Sequence, residues 1–285
     1  MKDKELVYFI YPSCDGNCKH CWSSDIVLGR IKPIEWHYRL IEQLRDMEYS
    51  VIKLSGGEPF FNRDIGKIAA RIHEVLGKEI PIQIFTSGRL FVNIDEGEQG
   101  VYKTKAALDS LFADYDNISI EMSVDEYHLQ VLKRIYKSEI DDDLLPFMYI
   151  SNFMKACFMI KKEHPRFLGP KLKIHCEEGR MKYHKELFAW FPPEWWEKYV
   201  LITEGLAYSG NGKNLEKTFK VVPSDKMSYF LLPGVDFYDE PQSDRGQRFQ
   251  KKGKTVYLDS ADSAVIISGW WNIINREAEY TVIKC

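Results

Sequence analysis

Val51-Ile52-Lys53-Leu54-Ser55-Gly56-Gly57-Glu58-Pro59 runs from an apolar, strand-like segment straight into two glycines, a carboxylate and a proline. Val51 to Ser55 has the composition of a short strand. Pro59 lacks an amide proton, so it ends the ladder and fixes the turn. The glycines permit unusual dihedrals and close backbone approach to a ligand, and Glu58 beside them is able to accept a hydrogen bond from a cationic amino group. Taken alone, the run is an ordinary strand-end turn; its neighbours decide what it means.

Outward from this stretch, apolar runs alternate with segments of helical period, a beat that repeats about six times and argues for parallel strands joined by helical crossovers. The predicted strands are Glu5 to Tyr11, Val51 to Ser55, Ile80 to Phe85, Ile118 to Ser123, Lys171 to Cys176 and Tyr199 to Thr203. His37, Leu40, Ile41, Leu44 and Met47 mark one helical face. Ile65, Ile68, Ala69, Ile72, Val75 and Leu76 mark another, starting near Asp64. Further helices are expected from about Thr104 to Tyr115, and as a pair between Glu126 and Glu163 broken near Asp141-Asp142-Asp143 and Pro146.

Just past the first strand lie Cys14, Cys18 and Cys21, spaced C-x3-C-x2-C. Three thiolates on one short loop hold three irons of a cubane [4Fe-4S] cluster and leave the fourth iron open to a small chelating ligand. The alternative is structural zinc, closed by His20 from inside the triplet. Such sites usually pair two ligand couples rather than crowding three cysteines into eight residues.

The cysteine triplet and the Gly56-Gly57-Glu58-Pro59 run together resemble the radical S-adenosylmethionine (radical SAM) superfamily over the N-terminal two thirds of the chain. The resemblance implies an α/β fold, a partial (β/α)6 TIM barrel open on one side, with functional groups at the carboxyl ends of its strands. It implies that Cys14, Cys18 and Cys21 ligate the cluster. His20 takes the slot, commonly aromatic, that packs near the adenine. Gly56, Gly57, Glu58 and Pro59 then belong to the cofactor site. By the same resemblance Thr86 and Ser87, in the run Phe85-Thr86-Ser87-Gly88, lie beside the ribose, and Ser123 contacts the methionyl carboxylate or the ribose. Asp125 either joins these contacts or caps the next helix, for which aspartate is favoured.

The implied chemistry is one-electron reduction of S-adenosylmethionine to methionine and a 5′-deoxyadenosyl radical, which abstracts hydrogen from a substrate carbon. A low-potential donor such as flavodoxin or ferredoxin supplies the electron. Gly205 to Gly210, after the sixth strand, looks like the Gly-Arg-Ala run of peptide-modifying relatives, with Leu206 in place of the arginine. Residues 1–212 are read as the partial barrel and 213–285 as an extension that covers substrate. Within the extension Thr255 to Leu258 and Ala264 to Ile267 are expected to form a hairpin, with Glu279 to Ile283 a third strand. This tail is similar to the SPASM and twitch extensions but lacks their cysteine, leaving Cys157, Cys176 and Cys285 too scattered for a second cluster.

Cys157 reads as a core thiol. Cys176, at the end of the fifth strand, is either an inert strand cysteine or a catalytic hydrogen-atom donor, which favours epimerisation. His128 reads as a packing or surface histidine. With 39 basic and 42 acidic residues the net charge is −3, without a sustained basic run, so a nucleic-acid partner has no electrostatic support. The charged start Met1 to Glu5 is neither a signal peptide nor a membrane span, and a cytoplasmic protein is expected. The expected substrate is a ribosomal peptide or a natural-product intermediate, undergoing epimerisation, cross-linking or rearrangement. The alternatives are an enzyme of primary metabolism acting on a sugar, nucleotide or amino acid, and a non-catalytic iron-sulfur or zinc binding protein.

Overall fold

The computed structural model describes residues 4–16, 18, 21, 31–136, 144–176, 189, 191–204, 227–233, 247–251, 254–258, 263–268 and 280–284. In chain order the first elements are β1 (Lys4–Tyr11), α1 (Ile34–Gln43), β2 (Val51–Gly56), a 3-10 turn (Pro59–Phe61), α2 (Ile65–Leu76) and β3 (Ile82–Thr86). They continue with α3 (Gly97–Asp109), β4 (Ile118–Ser123), α4 (Glu126–Ile135), α5 (Leu144–Glu163), β5 (Gly169–Cys176), α6 (Pro193–Tyr199) and β6 (Val200–Glu204). Five more strands follow: β7 (Met227–Pro233), β8 (Gln247–Lys251), β9 (Lys254–Leu258), β10 (Ser263–Ser268) and β11 (Tyr280–Lys284). The alternation of β1 to β6 with helices is the α/β order of a partial (β/α)6 barrel.

The chain divides into two compact units: Met1–Cys14 with Ser23–Gln83 and Val222–Cys285, and Asp15–Trp22 with Ile84–Val221. In the first, the strand order is β11-β10-β7-β1-β2, with β1 paired in parallel to both β2 and β7. A strand paired on both sides and covered by helices reads as a continuous apolar run, and Leu6, Tyr8, Phe9 and Ile10 of β1 are all buried. Helix α1 buries Trp36, His37, Leu40 and Ile41, while α2 buries Ile65, Ile68, Ala69 and Ile72. Tyr8 reaches from β1 to α1, its hydroxyl 2.5 Å from His37 Nδ1.

The C-terminal strands pair differently from the expected hairpin. β9 lies antiparallel to β8 in the register Lys251↔Lys254, and β10 pairs with β7 and β11. The connection at 252–253 is short enough to set the β8–β9 register by itself. Ala264 to Ile267 instead pairs with Pro233, Leu232, Leu231 and Phe230 of β7, a segment far away in sequence. The expected third strand is present as β11.

In the second unit β4, β5 and β6 pair in parallel, through Ile120↔Pro170 and Leu172↔Val200 among others. Helix α5 carries Pro146 in its first turn, where a missing amide proton costs nothing. It buries a long face including Tyr149, Phe153 and Cys157. Asn152 on α5 donates to the carbonyls of Asn93 and Asp95, each at 2.8 Å, and so holds the segment leading into α3. That helix starts earlier than its apolar spacing suggests, because its first turn, Gly97-Glu98-Gln99-Gly100, carries no apolar residue to mark it.

Candidate cofactor site

In the first unit the ends of β1 and β2 are stitched together by main-chain bonds. The ladder slips after Phe9↔Ser55, so that Tyr11 pairs with Gly56. Gly57 N–H then donates to the Tyr11 carbonyl and Glu58 N–H to the Ser13 carbonyl, both at 2.9 Å. This leaves no room for a side chain. A Cβ on Gly57 would overlap the Ser13 carbonyl and lie 2.8 Å from the amide nitrogen of Cys14, and Gly56 sits at φ 137°, backbone that favours glycine. The strand-end glycines therefore approach the chain that enters the cysteine triplet.

Glu58 is 1% exposed and caps the following 3-10 turn, its carboxylate accepting from Phe60 N–H at 3.3 Å, with Pro59 in the first position of that turn. Asn62 closes the arrangement by donating to the Ile10 carbonyl at 3.2 Å.

In the second unit side chains hold the cysteine loop. Arg89, three residues beyond the end of β3, forms an ion pair with Asp15 and donates through Nε to Ser87 Oγ at 3.3 Å. Arg134 of α4 donates to the Gly16 carbonyl at 2.9 Å. Within the loop, Cys21 N–H donates to the Cys18 carbonyl at 3.1 Å.

Asp125 is fully buried and is the N-cap of α4, accepting from the amides of Tyr127 and His128 at 3.1 Å each. The same carboxylate oxygen lies 2.8 Å from His128 Nδ1, and His128 also hydrogen-bonds Cys18. Burial works against the imidazolium. The charge and hydrogen bond of Asp125, followed by Cys18, outweigh it and hold the His128 pKa well above its ordinary value.

Of the other sequence-named residues, Thr86 is buried, and its hydroxyl accepts from Gly88 N–H at 2.8 Å. The Ser87 carbonyl accepts from the Tyr149 hydroxyl. Ser123 ends β4 in register with Lys173, half-buried. Cys176 ends β5 opposite Glu204, its side chain lying outside the described residues. His20, Gly205 to Gly210 and Cys285 also lie outside them. Cys157 is fully buried in α5, and burial pushes its thiol pKa up.

Sequence reading missed Arg89 and Arg134, whose partners lie far away along the chain. It also missed the carboxylate partner of His128, although the signal was present: an aspartate N-cap with histidine at the third helical position brings the two side chains into reach.

Cys14, Cys18 and Cys21 form no disulfide and are graded from exposed Cys14 through half-buried Cys21 to buried Cys18. Three such donors on eight residues fit a [4Fe-4S] cluster with one iron left for another ligand. Among the described residues no three His, Cys, Asp or Glu side chains, these cysteines included, converge so as to hold a metal ion.

The sequence model of the Radical SAM superfamily matches residues 8–142, spanning β1 to the segment after α4. No curated protein matches the chain. Among solved structures, the chain is similar to anSMEcpe with bound AdoMet and Kp18Cys peptide, at 15% identity and a TM-score of 0.43, over 76% of this chain and 56% of that one. It is also similar to Streptococcus suis SuiB bound to the precursor peptide SuiA, at 12% identity and a TM-score of 0.39, over 80% and 58%. For BtrN in complex with AdoMet and 2-DOIA the values are 13%, 0.30, 43% and 46%. The chain thus spans about half the length of the solved chains it matches. Residues 8–142, just under half of the chain, thus resemble the radical SAM superfamily, whose enzymes work with a [4Fe-4S] cluster and S-adenosylmethionine.

Proposed function

We propose that this protein reductively cleaves S-adenosylmethionine and uses the resulting radical to modify a ribosomal peptide or a natural-product intermediate. The observation that carries the reading is the main-chain stitch of Gly57 and Glu58 onto Tyr11 and Ser13, which fixes the chain entering a loop of three cysteines outside any disulfide. Cys14, Cys18 and Cys21 would hold the cluster, which supplies one electron to S-adenosylmethionine and so yields methionine and a 5′-deoxyadenosyl radical.

The chain's own residues bind, orient and exclude water. Glu58, buried at the strand end, receives the cofactor's amino group. Thr86, Ser87 and Ser123 serve its ribose and carboxylate, and His20 its adenine. Asp125, sealed in the first turn of α4, acts on the cysteine loop through His128. Residues 213–285 form the substrate-covering extension of the barrel, 1–212. A flavodoxin or ferredoxin delivers the electron.

Anoxic reconstitution with iron and sulfide, followed by dithionite and S-adenosylmethionine, tests the reading. The expected products are methionine and 5′-deoxyadenosine. Anoxically purified protein that carries zinc and forms neither product would overturn it. For the fate of the substrate radical, Cys176→Ala is expected to abolish an epimerised product while 5′-deoxyadenosine still forms; an unchanged epimer yield removes Cys176 from the mechanism.

A further inference from the structure

Deepening the functional reading above, on which it rests, we infer that Arg89 is a positioning residue for the cysteine loop, with Arg134 as a second anchor. The two arginines tie down Asp15 and Gly16, between Cys14 and Cys18, and so limit the conformations open to the loop before metal arrives.

The spacer is Asp15-Gly16-Asn17, too short to form a regular element, and a free loop must be ordered at the moment its thiols bind metal. Anchors from outside the loop remove that cost in advance. Arg89 supplies one at the residue directly after Cys14, and Arg134 one at the next residue. Burial separates the Arg89 pair from an ordinary surface pair: the Arg89 side chain is 6% exposed, whereas that of Asp15 is 56% exposed. A guanidinium is always charged and presents its donors in a rigid fork, so it keeps the loop in one orientation where lysine would allow several. The bond to Ser87 Oγ further limits the rotation of Arg89. Beyond the spacer, the hydrogen bond of His128 to Cys18 fixes the loop again, and from the same helix as Arg134.

The test uses the intact chain without metal, reduced and anoxic, with alkylation by iodoacetamide followed cysteine by cysteine by mass spectrometry. Cys18 is 9% exposed and reports on the loop, and Cys157, at 0%, reports on the integrity of the fold. Arg89→Gln is expected to raise the Cys18 rate about tenfold through local opening while Cys157 stays protected. Arg89→Lys gives an intermediate rate, and Arg134→Gln a smaller rise. Asp15→Asn mimics Arg89→Gln, and the double variant shows no further increase, as expected for two partners of one interaction.

After iron loading, the same variants lose iron to a chelator faster than wild type. Should Arg89→Gln unfold the protein, Cys157 reacts as well, and exposed Asp15→Asn then decides. A Cys18 rate unchanged in Asp15→Asn, with Cys157 protected, overturns the inference. Because the alkylation is read on metal-free protein, it stands apart from the functional reading, which falls if loaded wild type makes no 5′-deoxyadenosine.

Discussion

On the Cys14 side of the motif, the first unit secures the chain with main-chain bonds from Gly57 and Glu58, packed so closely that no β-carbon fits. On the Cys18 side, the second unit secures the loop with charged and polar side chains: Arg89 on Asp15, Arg134 on Gly16 and His128 on Cys18. Main-chain stitching is stiff and tolerates no added atom. Side-chain anchoring is adjustable, and each contact is removable without disturbing a strand. Substitutions on the first side should therefore act as all-or-none structural lesions, and those on the second as graded ones.

Cys18→Ala gives the largest expected effect, since it removes one of the three thiolates; iron content and 5′-deoxyadenosine should both fall to background. Near-normal iron in that variant would show that the triplet is not the ligand set.

Gly57→Ala comes next. Its new methyl meets the backbone of Ser13 and Cys14, so overpacking should destabilise the metal-free protein by about 2 to 3 kcal/mol in urea unfolding. A stable Gly57→Ala that loads iron normally would break the contrast between the two sides.

The third effect concerns pH and the footing of β1. His37 is buried beneath Tyr8, and burial, partly offset by Asp64, lowers its pKa from 6.5 to about 4. A histidine kept neutral in the fold but free to charge when unfolded stabilises fully above pH 6.5 and progressively less as pH falls toward 4. The loss over that window should be about 3 kcal/mol. Urea midpoints of metal-free protein between pH 7 and 4.5 check this, and His37→Phe should flatten the slope.

The smallest effect is expected at Arg134→Gln, where losing one charge-assisted bond from an exposed side chain to the Gly16 carbonyl costs about 1 kcal/mol. It should show in loop protection before it shows in global stability. If Arg134→Gln proved as damaging as Gly57→Ala, the second side would be no more adjustable than the first.

The elements read most accurately from sequence were those with a local signal. Ile118–Ser123 matches its predicted bounds, and β1, β2 and α2 differ by a residue or two, because apolar runs and helical spacing are written into consecutive residues. α3 was placed late because its opening turn is polar and glycine-bearing and owes its position to Asn152 of α5. The β9–β10 hairpin was expected because the two runs are neighbours in sequence. In the fold Ala264 to Ile267 pairs with β7, and the pairing preference of an apolar strand depends on which distant edge is available.

In the site, the cysteines and the Gly-Gly-Glu-Pro run were legible because their chemistry depends on spacing. Arg89 and Arg134 were not, because an arginine among 39 basic residues carries no mark of its partner.

The sequence by itself determined the three thiols on one loop, the glycines at a strand end and the alternation of strands with helices, since each is fixed by residue type and local order. Only the tertiary structure decided what those glycines approach, which strand β10 joins, and which arginines brace the loop. Long-range contacts of this kind depend on where folding brings distant segments, and no local pattern encodes that.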